Sequence, residues 1–87
     1  MTLNFTNQSR SYDATRHAVR FWGYDGAREV SFFVTDDALR RLQPGAPVDE
    51  TGLLAVFEAH HESVLRAAGR VYARGQKGSY EIGATDV

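Results

Sequence analysis

His60, His61 and Glu62, with Glu58 one turn before them, form the densest run of potential metal ligands in the sequence. On a helix, adjacent residues point about 100° apart, so His60 and His61 cannot easily share one ion. The two-histidine i,i+4 spacing of a zinc protease helix is absent. Glu58 and His61 do share a face, and a third ligand would have to come from a remote position such as His17. A small hydrolase or metal protein built on Glu58 and His61 is therefore an alternative without a complete site, and no metal or cofactor is expected. The chain has no cysteine, which excludes a thiolate zinc site, a cysteine nucleophile and a disulfide framework. No nucleophile elbow, glycine-rich phosphate loop or paired-carboxylate spacing occurs, so no catalytic residue is assigned.

A second set is cationic. Arg66, Arg70 and Arg74 recur every four residues, with Lys77 just beyond. Such a ridge could track phosphates, which makes a weak nucleic-acid binder another alternative. The opposing reading is stronger. Glu62 and Arg66 form a favourable i,i+4 pair, and arginines late in a helix complement its dipole. Charge is split along the chain: six basic against nine acidic residues up to position 62, and four against two after it. The net charge of -1 provides no field for nucleic acid or an anionic membrane.

The third set mixes arginine with aromatics. Arg20, Trp22 and Tyr24 alternate along one segment, and Glu29, Ser31 and Phe33 along the next. These segments read as strands joined through Asp25-Gly26 in a hairpin. With an even-numbered loop, Val19 and Phe21 oppose Phe32 and Val30, and Val34 joins them on one apolar face. Arg20, Trp22, Tyr24 and Phe33 then lie on the other. Large aromatics on an open sheet face mark a partner surface or a stacking platform. Self-association through this face, coverage by the N-terminal segment with Phe5 folding back, and a ligand or nucleic-acid platform are the competing outcomes.

These side chains need a scaffold. Ser11-Tyr12-Asp13 is a shorter strand that folds back through residues 14–17, completing a three-stranded antiparallel meander. Thr35-Asp36-Asp37 caps a short helix over Asp36 to Leu42, which Pro44-Gly45 stops. Leu53, Leu54, Val56, Phe57, His61, Val64, Leu65, Ala68, Val71 and Tyr72 recur at helical steps, predicting one long amphipathic helix over about residues 49–74. Gly78 to Gly83 reads as a last strand. The order β-β-β-α-α-β implies an α+β two-layer sandwich, with the long helix on the apolar side of the sheet. A chain of 87 residues and 9.7 kDa, 43% hydrophobic, is one domain, residues 1–10 forming a loosely ordered lead-in. Area scaling gives it a folded surface of roughly 5,100 Å². No signal sequence or membrane-length apolar run is apparent, and the cytoplasm is the expected location.

The run Ser11-Tyr12-Asp13, Val19-Arg20-Phe21-Trp22-Gly23, Glu29 to Thr35 and Leu39-Arg40-Arg41-Leu42 resembles a family of small bacterial proteins catalogued as a domain of unknown function, number fourteen eighty-eight. The resemblance covers about residues 9–83. It implies a compact α+β fold of three or four strands with a short and a long helix, and brings no catalytic residue or cofactor. Together these readings predict a non-enzymatic accessory or interaction protein whose partner is another protein, most simply a second copy of itself, with Arg20, Trp22, Tyr24 and Phe33 as its contact surface.

Overall fold

The computed structural model describes residues 3–6, 9–75 and 78–87. Its strands are β1 (Leu3–Asn4), β2 (Arg10–Asp13), β3 (Ala18–Asp25), β4 (Arg28–Thr35) and β5 (Ser79–Ile82). The helices are α1 (Asp36–Leu42), α2 (Glu50–Ala59) and α3 (His61–Ala73), followed by a 3-10 turn at Ala84–Asp86. The strands make one sheet in the order β1-β3-β4-β5, with β2 also pairing β3. All pairs are antiparallel except β4 with β5, which the helices connect as a parallel crossover. The α+β reading holds, and the accessible surface is 5096 Å². No helix among the described residues is long and apolar enough to cross a membrane.

The hairpin turns one residue later than Asp25-Gly26. Asp25 pairs with Arg28, leaving Gly26 and Ala27 as the loop. Gly26 takes φ +62° while its neighbours stay at negative φ. This matches a type II′ turn, which needs glycine at its first central position only, whereas a turn through Asp25-Gly26 of type I′ would force Asp25 into the left-handed region. The pairing therefore shifts to Val19 with Val34, Phe21 with Phe32 and Gly23 with Val30. Moving each strand by one position preserves which residues share a face.

On the inner face, Phe21 stacks on Phe32 at 5.3 Å, Phe32 on Tyr80 at 5.4 Å, and Phe57 of α2 meets Phe21 at 5.2 Å. Each phenylalanine buried this way contributes about 1.5–3 kcal/mol. Phe5 belongs to this cluster too, with its ring 5.6 Å from Phe32 and 6.1 Å from Phe21. It sits where Gly23 lacks a side chain: a Cβ there would lie 2.7 Å from the Phe5 ring. Of the three competing outcomes for the aromatic outer face, coverage by Phe5 is thus ruled out, because the ring packs beside Phe21 and Phe32 on the opposite face. The sheet offers it a glycine-sized recess on the inner face, where apolar burial is larger.

The single long helix is corrected to two. α2 ends at His60, whose φ -114° and ψ 27° leave the helical region, and α3 starts at His61. Both segments keep the stripe in phase, Leu53, Val56 and Phe57 in α2 and Val64, Ala67, Ala68 and Tyr72 in α3 being buried. α2 packs on α1, β2 and β3, whereas α3 packs on β5. The bend lets one stripe follow a twisted sheet. Tyr72 of α3 donates to Asp25 at 2.5 Å, and Tyr12 of β2 donates to Asp36 at 2.9 Å, tying the layers together at opposite ends of β3.

Candidate functional site

With every helix on one side, alternation along the strands places Arg20, Trp22, Tyr24, Glu29, Ser31 and Phe33 on the other. They stand in rows set by the register: Arg20 beside Phe33, Trp22 beside Ser31, Tyr24 beside Glu29. β5 extends the first two rows with Glu81 and Ser79. The sheet brings together the four residues predicted to form this surface.

Their exposure differs from a bare aromatic platform. Phe33 is only 6% exposed. The guanidinium of Arg16 lies 4.0 Å from its ring centroid and that of Arg20 5.7 Å, with Arg20 also 4.9 Å from the Trp22 ring. Phe33 is therefore the floor of the site and the two arginines are its cover, while Trp22 and Tyr24 are half-buried. A cation over a ring is attracted by about 0.5–1 kcal/mol at an exposed site.

Arg16 was not among the expected residues. It reaches Phe33 because the β2-β3 connection is a tight turn, in which Asp13 Oδ1 accepts from the backbone N–H groups of Thr15 and Arg16 at 3.0 and 3.1 Å. His17 then takes a left-handed φ of 52° and the chain enters β3. An Asp followed two residues on by a short polar run is the signal for such a turn. Nothing local shows where the next long side chain will fold.

Arg20 donates one bond to Ser31 Oγ at 3.3 Å, and its Nε is buried without a partner. Tyr24 donates to Glu29 Oε2 at 3.2 Å. Among the described residues neither Arg16 nor Arg20 forms an ion pair with a carboxylate. Such guanidiniums suit bidentate contact with a carboxylate.

The other candidates are engaged elsewhere. Arg74 is paired with the Asp86 carboxylate, Arg70 donates to the Asp86 carbonyl at 2.5 Å, and Arg66 to Ser63 Oγ at 3.4 Å. The Arg74 contact, aided by the Gly83 N–H, holds the Asp86 carboxyl below the usual carboxylate range. Lys77 lies outside the described residues. Glu58 pairs with Arg10, His61 packs on the Phe57 ring at 5.4 Å, and His60 Nε2 meets Gln43 Oε1 at 3.2 Å. Among the described residues no three His, Asp or Glu side chains stand together as a metal site. The hydrogen bond to Asp25 and burial raise the Tyr72 phenol, and burial and the bond to Asp36 raise that of Tyr12. Both are ties between layers.

Residues 3–82 match the family described as a protein of unknown function, DUF1488. A crystal structure of a protein of unknown function from that family, from Shewanella loihica PV-4, shares the fold: the TM-score is 0.81 with 94% of each chain covered and 16% sequence identity. No curated protein matches the chain.

Proposed function

The chain belongs to the DUF1488 family, and we propose that this member is a non-enzymatic interaction module that self-associates through the helix-free face of its sheet. One observation carries the reading: among the described residues the helices pack on one face, leaving Trp22 half-buried at the centre of the other beside arginines that form no ion pair with a described carboxylate. Tryptophan, tyrosine and arginine are the residues most enriched where binding energy concentrates. A second copy would complete the burial of the indole and supply acceptors to the arginines.

Light scattering at high micromolar concentration tests this with wild type and Trp22→Glu. Trp22 is not in the inner core, so the variant keeps the wild-type circular dichroism spectrum. The expected result is a wild-type dimer and a monomeric variant. A monomeric wild type, or a variant that dimerises equally well, would end the proposal.

A further inference from the structure

We infer that α2 and α3 are one helix held bent at His60, and that straightening it lets two copies exchange α3, β5 and the 3-10 turn, each copy completing the sheet of the other. This exchange does not use the helix-free face, so it stands or falls independently of the self-association described above.

The local sequence asks for a straight rod. Residues 53–68 contain neither Gly nor Pro, the commonest causes of a sharp bend, and the apolar stripe stays in phase throughout. On either side of the corner the ladder is intact: the His60 N–H reaches the Val56 carbonyl, and the Val64 N–H the His60 carbonyl, each at 3.0 Å. Between them, the N–H groups of His61, Glu62 and Ser63 have no backbone acceptor among the described residues, and no side chain caps α3. A continuous helix would give these three donors the carbonyls of Phe57, Glu58 and Ala59. His60 itself would leave a sparsely populated conformation, φ -114° and ψ 27°, for the helical one. What imposes the bend is tertiary: α2 is held by α1, β2 and β3, α3 by β5, and the His60 ring by Gln43.

Straightening is incompatible with a closed single chain. A sharp helix bend exceeds about 20°, and α3, at thirteen residues, is about 20 Å long, so removing the bend moves its far end by about 7 Å. That is more than the strand spacing of about 4.8 Å, and β5 would lose β4. The contacts at stake join residues before the corner to residues after it. They are the β4–β5 register from Ser31 with Ser79 to Val34 with Ile82, the stacking of Tyr80 on Phe32, and the bond from Tyr72 to Asp25. Each can form unchanged between two chains, so a two-fold pair of exchanged copies keeps them all and adds the helical bonds of two corners. Tethering of the two parts favours the closed monomer in dilute solution, and concentration favours exchange. Because exchange first breaks the β4–β5 pairing, protein that has never been unfolded stays closed, and refolding concentrated chains is the route to the pair.

Refolding Trp22→Glu protein from urea tests this with association through the outer face removed. Val34→Cys and Ile82→Cys are added as reporters: they are register partners, buried on the inner face, and become the only thiols in the chain. Neighbouring strands bring such a pair within disulfide range. Oxidised closed monomers carry the bridge within one chain, whereas exchanged copies give a covalent dimer on a denaturing gel. Covalent dimers are expected after concentrated refolding and their loss after dilute refolding, and sedimentation of the cysteine-free Trp22→Glu protein gives the dimer fraction independently. Glu62→Pro fits the first turn of α3 but cannot continue a helix from α2, where its ring meets the Glu58 carbonyl. It should cut the dimer yield at least about tenfold while the monomer keeps its circular dichroism spectrum. His60→Ala, which prefers the helical conformation, should raise the yield. Bridges within single chains at every concentration, or a yield indifferent to Glu62→Pro, would overturn the inference and leave the light-scattering test of the outer face untouched.

Discussion

Gly23 and Phe5 show how a single missing methyl group directs a distant segment. A Cβ on residue 23 would approach the Phe5 ring to 2.7 Å, so the ring occupies space that any other residue would fill. Gly23→Ala should destabilise the fold by about 1–3 kcal/mol, the usual range for forcing a methyl into a packed site. Because the clash is with one ring, the penalty should nearly vanish in a Phe5→Ala background. Urea midpoints for the four proteins of that cycle measure the coupling. An equal cost for Gly23→Ala in both backgrounds would mean that the backbone, and not the ring, requires glycine. None of this is legible in the sequence, where Gly23 reads as an interruption in a strand and Phe5 as a ring that folds back over the outer face. Contacts between residues 18 apart leave no periodic trace. By contrast, Trp22, Arg20 and Phe33 were placeable on one face, because strand alternation and a two-residue loop are local rules.

At the scale of elements, helix starts are legible in the sequence and interruptions are not. Thr35 caps α1 through a bond from the Ala38 N–H at 3.2 Å, and Asp49 caps α2 through one from the Gly52 N–H at 2.7 Å. Both were visible as polar residues placed just before an apolar period. The break at His60 was not, because the stripe from Leu53 to Tyr72 continues in phase across it. Periodicity reports which face is buried and says nothing of whether the axis stays straight. β1 was missed for a related reason: two residues pairing with Tyr24 and Asp25 are too few to alternate. The separation of α2 from α3 gives the Asp49 cap more weight, since α2 has only ten residues to hold its own start. Asp49→Ala should lower stability by about 1 kcal/mol, and Asp49→Ser should restore most of it. Chemical denaturation of both variants measures the difference. An Asp49→Ala protein as stable as wild type would show that tertiary packing alone sets where α2 begins.

Across the whole molecule, the arginine ridge and the acid that answers it lie in different elements, so that Arg70 and Arg74 help to close the fold. Asp86 takes Arg74 on one carboxylate oxygen and the Gly83 N–H at 2.8 Å on the other, while its carbonyl accepts from Arg70. The 3-10 turn that carries it packs against both α1 and α3, and Asp86 fixes that turn to the C-terminal part of α3. The carboxyl is held below its ordinary value of 3.8, first by Arg74 and then by the Gly83 N–H. A carboxyl with a lower pKa folded than unfolded contributes stability that is fully present above the unfolded value and is lost as pH falls through the folded one. Asp86→Asn keeps the shape and removes the titration. Wild type should therefore be the more stable of the two at neutral pH, with the gap closing as the solution is acidified below about pH 4. Because the Arg74 side chain is largely in solvent, added salt at neutral pH should narrow the same gap. Urea midpoints for both proteins from pH 7 down to the limit of folding give the answer. Parallel curves would mean that the turn is held by packing and the Gly83 N–H alone, and would return the arginine ridge to the list of surfaces free to meet a polyanion.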